Sequence, residues 1–215
     1  MTFEYAIQRD SYRSAERSED RVFAQPVGSG LVVAVADGAG GTPGGAGAAE
    51  YVIQRLERVL AEPHFDAFQL RGWVAFLRSL DQELDGRRLG GETTLVVVAI
   101  NQSGACFGAS AGDSSAAILD HGDLLHLAGP TRHAYRARIG SGRAHPAGFG
   151  LAHLGGPLLV ASDGLFHYAT HQAIAEAIDR FPKDLNQATA AVVNTARLPS
   201  GELQDDVALV LVRPH

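Results

Sequence analysis

Apolar residues fall along the chain in two rhythms. Residues 31–36 (Leu-Val-Val-Ala-Val-Ala) and 207–212 (Val-Ala-Leu-Val-Leu-Val) are continuous apolar runs, short and rich in valine. That pattern predicts strands buried on both faces. Residues 93–100, 104–109 and 157–161 read the same way, and looser strands are expected at 3–8 and 21–27. Residues 115–119 and 124–127 flank Asp120-His121-Gly122-Asp123, a hairpin with turn residues in its middle. The other rhythm is helical. Val52, Ile53, Leu56, Val59 and Leu60 predict a helix over 46–61; Phe68, Trp73, Phe76, Leu77, Leu80 and Leu84 predict one over 65–84. Two more are expected at 170–180 and 185–197, while 129–156, rich in Gly, Arg, His and Pro, reads as irregular.

The order is strands, two helices, a run of strands, two helices and a last strand. Strict βαβα alternation is absent, which argues against a doubly wound parallel sheet. The expectation is an α+β fold of two packed, mainly antiparallel sheets, each covered by a helix pair. No internal repeat or low-complexity linker divides the chain, so residues 1–215 are expected to form one domain.

Acidic residues recur where the apolar runs stop. Asp37 and Asp163 each follow such a run and precede a glycine. Asp205 and Asp206 precede the last run, Glu19 and Asp20 precede another, and Asp113 lies in Gly112-Asp113-Ser114 before the hairpin. A carboxylate at the mouth of a buried strand is costly unless something pairs with it. No Lys or Arg adjoins Asp37, Asp113 or Asp163 in sequence. Converging carboxylates of this kind suit hard divalent cations, which prefer oxygen ligands. Asp-Gly is also an ordinary turn dipeptide and Asp an ordinary helix cap, so spacing alone leaves both readings standing.

Composition narrows the classes. The net charge of -6 speaks against a nucleic-acid partner, whose polyanionic backbone rewards a Lys/Arg surplus. Cys106 is the single cysteine, which excludes a disulfide framework and a Cys-rich zinc site. The first residues carry no apolar signal region, and no stretch approaches a membrane span of about 20 apolar residues. The expected address is the cytoplasm, with no membrane partner.

Six short elements, in order, carry a resemblance. They are Ser18-Glu19-Asp20, Asp37-Gly38-Ala39-Gly40-Gly41, Gly91-Glu92-Thr93-Thr94, Gly112-Asp113-Ser114, Ser162-Asp163-Gly164-Leu165 and Asp205-Asp206-Val207-Ala208. The chain resembles the metal-dependent type 2C serine/threonine protein phosphatases, particularly compact bacterial members. The resemblance implies a four-layer α-β-β-α sandwich with a binuclear site at one end, holding two Mg²⁺ or Mn²⁺ ions. Asp37 would bridge both metals and the Gly38 carbonyl would bind one of them, with Glu19 and Asp20 nearby, partly through water. Asp163 and Asp205, beside Asp206, would hold the other. Asp113 with Asp163 would form a weaker site for a third ion. A hydroxide shared by the two metals would attack the phosphorus of phosphoserine or phosphothreonine in a protein. A Ser/Thr kinase would be the functional counterpart, and the phosphatase a monomer.

Some positions depart from the family pattern. Ala15 stands where the family often places a phosphate-holding Arg, leaving Arg13 and Arg17 as candidates. Ala39 occupies the place of a His found in many eukaryotic members, so protonation of the leaving group would fall to water. The interval between Asp113 and Asp163 is short, which implies a reduced flap over about residues 130–149. Its Arg132, Arg136, Arg138 and Arg143 form a local basic surplus suited to docking a substrate, or simply a solvated loop.

Rival readings rest on thinner signals. Gly108-Ala109-Ser110-Ala111-Gly112 spells a nucleophile elbow, but a hairpin rather than a helix is expected after it. The glycines after Asp37 lack the third glycine of a dinucleotide-binding loop, and His167 and His171 lack the Glu of a zinc-protease helix. The remaining alternative is the same fold kept as a catalytically weak or inactive binding module. The loss at Ala15 favours it and the intact aspartate set opposes it.

Overall fold

Successive side chains of a strand point to opposite faces, so a strand apolar at every position needs cover on both. β3 (Gly30–Ala36) and β4 (Leu95–Ile100) are such strands, buried throughout. Leu31, Val33, Val35, Val96, Val98 and Ile100 face a second sheet, while Val32, Ala34, Ala36, Val97 and Ala99 face helices. The computed structural model describes residues 1–12, 18–39, 44–87, 91–129 and 137–215. Arg13, Ala15, Arg17, the loop 40–43, Arg132 and Arg136 lie outside the described residues.

The remaining described elements are β1 (Phe3–Asp10), β2 (Arg21–Val27), α1 (Gly45–Leu60), α2 (Leu70–Arg87), β5 (Cys106–Ala111), β6 (Ser115–Asp120), β7 (Asp123–Ala128), β8 (Ala147–Leu151), β9 (Leu158–Ala161), α3 (Asp163–Phe166), α4 (His171–Arg180), α5 (Leu185–Thr195) and β10 (Val207–Pro214). One sheet runs β1-β10-β9-β6-β7 and the other β2-β3-β4-β5-β8, with antiparallel neighbours throughout. Ala116, Ile118, Leu158, Val160, Ala208, Val210 and Val212 fill the space between the sheets. Leu159, Leu209 and Leu211 turn outward onto Ile174, Ile178, Ala188 and Val192 of α4 and α5. The layers are therefore helices, sheet, sheet, helices, as expected.

The elements differ from the sequence expectation at three places. α2 begins at Leu70 rather than near 65, because the Asp66 carboxylate accepts the Phe68 N–H and turns the chain first. The Ala67 carbonyl in that turn accepts the Trp73 indole N–H at 2.8 Å, so Trp73 is buried with its polar atom satisfied. β8 lies inside the stretch read as irregular. Its Gly148-Phe149-Gly150 offers little apolar pattern, yet Phe149 lies over Gly108 of β5, where a Cβ would come within 2.4 Å of the ring. The short α3 has no apolar rhythm of its own in the sequence. The β6–β7 hairpin turns on His121 and Gly122, both at positive φ (50° and 89°), the twist a two-residue loop needs.

Trp73 packs edge-on against Phe65, with ring centroids 4.9 Å apart, under the α2 layer. Trp73→Ala should destabilise the protein by about 3–5 kcal/mol, read as a lower urea midpoint at unchanged slope.

Candidate metal centre

In an antiparallel sheet the end of one strand lies beside the start of its neighbour. That rule collects the acidic residues. Asp37 follows β3 and Asp20 precedes its partner β2, where Arg21 pairs with Ala36. Asp163 follows β9, Asp205 and Asp206 precede β10, and Asp113 precedes β6, where Ser115 and Leu209 both pair with Ala161. All lie at one end of the two sheets.

The backbone around each carboxylate is braced. The Asp37 N–H donates to Thr94 Oγ1 (3.0 Å), and its carbonyl accepts the Thr94 N–H and the Thr93 hydroxyl, both at 2.8 Å. A Cβ on Gly38 would lie 2.5 Å from the Gly45 carbonyl and 2.8 Å from that of Glu19, so only glycine lets these three segments meet. The Arg21 guanidinium donates to the carbonyls of Ser18 (2.9 Å) and Asp20 (2.8 Å) and pairs with Glu50 of α1. Ser162 ties the β9 end to β10: its N–H donates to the Ala208 carbonyl, and its hydroxyl accepts the Ala208 N–H. At Gly164 a Cβ would sit 2.0 Å from the Asp206 carbonyl.

Oxygens of Asp37, Asp113 and Asp163 all lie within 4.8 Å of one another. Asp20 is buried beside them, and burial is the main force raising its carboxyl to about 7, with the nearby Asp206 and Asp163 charges adding to it. Burial likewise pushes Asp37 well above the ordinary range, with Asp20, Asp163 and Asp113 contributing repulsion. Asp163 is raised by burial first and by Asp113 next. Asp20 Oδ2, Asp113 Oδ1 and Asp206 Oδ1 are buried without a hydrogen-bond partner among the described residues. Oxygen donors so close together, with buried lone pairs to spare, fit hard divalent cations.

The two aspartates before β10 face different ways. Asp206 is 8% exposed, accepts the Glu19 N–H at 2.8 Å and repels Asp20. Asp205 lies on the Asp163 side. Glu19 thus stands at the site through its backbone, and Gly38 sits between Glu19 and Thr93.

One inference from the linear sequence needs correcting. Asp113 has no basic neighbour in sequence, but in space Arg138 Nη2 approaches its Oδ2 at 3.3 Å. His167 Nδ1 lies 3.3 Å from Asp163 Oδ2. Nothing in the local sequence separates Arg138 from the neighbouring arginines; in space it precedes Ile139, which bridges to Thr93. Arg143 is exposed. Ser110 lies within β5, which runs through the Asp113 turn into β6, so no nucleophile elbow forms. His171 contacts His126 across 3.2 Å rather than pairing with His167.

No curated protein matches the chain in sequence. Similar folds are found among solved structures. Serine/threonine phosphatase Stp1 from Staphylococcus aureus is 18% identical with a TM-score of 0.84, over 100% of this chain and 96% of that one. The Mycobacterium tuberculosis serine/threonine phosphatase PstP/Ppp is 20% identical with a TM-score of 0.78, over 99% of each. The catalytic domain of PstP in complex with two manganese ions is 21% identical with a TM-score of 0.79, over 98% and 97%. The family model for protein phosphatase 2C matches residues 7–198, an interval that holds Asp20, Asp37, Asp113 and Asp163 and stops just short of β10. With nearly the whole sandwich inside that match, the chain belongs to the protein phosphatase 2C family, the metal-dependent protein serine/threonine phosphatases.

Proposed function

We propose that the chain removes phosphoryl groups from phosphoserine and phosphothreonine in proteins, using Mg²⁺ or Mn²⁺ held at the acidic end of the two sheets. The observation that carries this reading is the meeting of Asp37, Asp113 and Asp163 within 4.8 Å, beside a buried Asp20. Asp37 and Asp163 are the residues assigned the catalytic role. Asp37, the Gly38 carbonyl and the Glu19–Asp20 segment would hold a cation on one side of the cluster, and Asp163 with Asp205 would hold one on the other. Asp206 holds the Glu19 backbone in place. Bound there, divalent cations supply an acidified water as nucleophile and positive charge for the phosphoryl oxygens. Arg13 and Arg17 are the proposed phosphate contacts. Ala39 offers no proton donor, so the leaving oxygen takes its proton from water. No helix among the described residues is long and apolar enough to cross a membrane. In this reading the protein works as a monomeric single domain in the cytoplasm, opposite a Ser/Thr kinase.

Hydrolysis of a chromogenic aryl phosphate should require added Mg²⁺ or Mn²⁺ and stop in excess EDTA; full activity in the chelator would refute the metal assignment. Asp37→Asn and Asp163→Asn should each lower kcat by at least about 100-fold, since losing a ligand removes several kcal/mol of transition-state stabilisation. Asp205→Asn should be far more damaging than Asp206→Asn, because an Asn at 206 still accepts the Glu19 N–H. The reverse ranking would exchange the two roles.

The raised carboxyls also dictate a pH response. Asp20, Asp37 and Asp163 hold protons in the cation-free fold that the unfolded chain releases at ordinary carboxylate values, near 4. Their contribution is present in acid and is lost as pH rises from about 4 through the Asp20 value of about 7. The Tm of the metal-stripped protein should therefore fall between pH 5 and pH 8, and Mn²⁺ should raise it more at pH 8, where fewer protons compete for the ligands. Equal Mn²⁺ shifts at both values would count against a buried ligand set.

A further inference from the structure

The loop that carries Arg138 is held with more care than a solvated loop needs. Asp81 lies in α2, 4% exposed, at a position where the helix's apolar stripe of Trp73, Leu77, Leu80 and Leu84 has a polar residue. Its Oδ1 accepts the N–H groups of Gly140 (2.8 Å) and Gly142 (3.0 Å), and its Oδ2 accepts that of Ala144 (3.0 Å). Gly140 and Gly142 both have positive φ (100° and 68°), which lets three amides turn toward one carboxylate. On the other side Ile139, fully buried, exchanges both backbone hydrogen bonds with Thr93, at 3.0 and 2.8 Å. Thr93 is the residue whose hydroxyl donates to the Asp37 carbonyl. Arg138 is thus fixed between Asp81 and the Asp37 backbone.

Its guanidinium reaches Asp113 by one contact, Nη2 to Oδ2 at 3.3 Å, with the two side chains 28% and 34% exposed. Arg138 Nε and Asp113 Oδ1 are buried and have no partner among the described residues. A guanidinium keeps its charge at any working pH. A single, partly exposed contact of this kind is weak and displaceable, unlike a bidentate pair.

Resting on the metal reading above, we propose that Arg138 is a built-in cation that occupies Asp113 and so restricts the acidic cluster to two tightly held divalent ions, with Asp81 as the residue that positions it. A further ion can use Asp113 only by displacing the guanidinium. Asp113 therefore serves as a site whose occupancy the protein itself contests.

The test is Mn²⁺ binding to metal-stripped protein, counted by calorimetry and by loss of the free-ion electron paramagnetic resonance signal. Wild type should take up two ions tightly. Arg138→Met, which keeps the aliphatic stem, should gain a further ion or bind its weakest ion up to about fivefold more tightly, the scale of losing one such competing contact. Arg138→Lys should behave as wild type, and Asp113→Asn added to Arg138→Met should abolish the gain. Asp81→Asn should give a smaller gain in the same direction, while a purely structural role would lower the Tm and leave Mn²⁺ binding unchanged. If Arg138→Met binds Mn²⁺ as wild type does, or if its gain survives the loss of Asp113, the proposal fails while the two-ion reading stands. If wild type binds no Mn²⁺, the metal reading fails and takes this one with it.

Discussion

A carboxylate taken out of water resists ionisation, and each further carboxylate beside it raises the resistance. This protein gathers Asp20, Asp37, Asp113 and Asp163 at one end of two packed sheets, where no protein cation other than Arg138 pairs with them through a described ion pair, apart from the titratable His167. Much of the local architecture is explicable as the bracing that such repulsion demands. Thr93 and Thr94 grip the Asp37 backbone from both sides, Ser162 clasps β9 to β10, and Arg21 ties the segment before β2 to α1. None of these contacts is itself part of the acidic set. Each spends ordinary hydrogen bonding on holding backbone where side chains alone would push it apart.

How much of this was legible in the sequence depended on the range of the interaction. The buried strands β3 and β10 and the helix α1 follow from local apolar rhythm, because the same residues that make the pattern also meet the core. The acidic positions were legible too, since each sits where an apolar run stops. Edge strand β8 was not, because its glycines leave only Phe149 and Leu151 to pack against the core, Phe149 over a glycine of another strand. Arg138 was not, because the contact with Asp113 spans 25 residues and nothing beside it in sequence marks it out from Arg143. Asp81 did leave a trace, a charged residue in the apolar stripe of α2. What such a residue binds is decided by a loop nearly sixty residues away, at Gly140.

The assignments of the two β10 aspartates show the same limit from the other side. Adjacent in sequence and identical in chemistry, they separate because successive residues at a strand's mouth point in opposite directions. One faces Asp163, and the other takes the Glu19 amide. Two carboxylates therefore stand side by side before β10, with Asp206 held in a hydrogen-bond acceptor's role. The extra charge is part of what raises Asp20.

The position of β10 has a consequence for how the molecule comes into being. It follows every other described element in the chain, yet it lies inside its sheet, between β1 and β9. The sheet β2-β3-β4-β5-β8 can assemble while the later part of the chain is still emerging from the ribosome. The other sheet cannot: β1 must wait, unpaired on that side, for a partner about two hundred residues away. Asp205 and Asp206 arrive with that partner. A nascent or truncated polypeptide therefore carries Asp37 and Asp113 in nearly finished surroundings and still lacks one wall of the cluster. A chain that stops before the last strand lacks the partner that joins β1 to β9, and leaves the apolar residues that β10 covers without that cover.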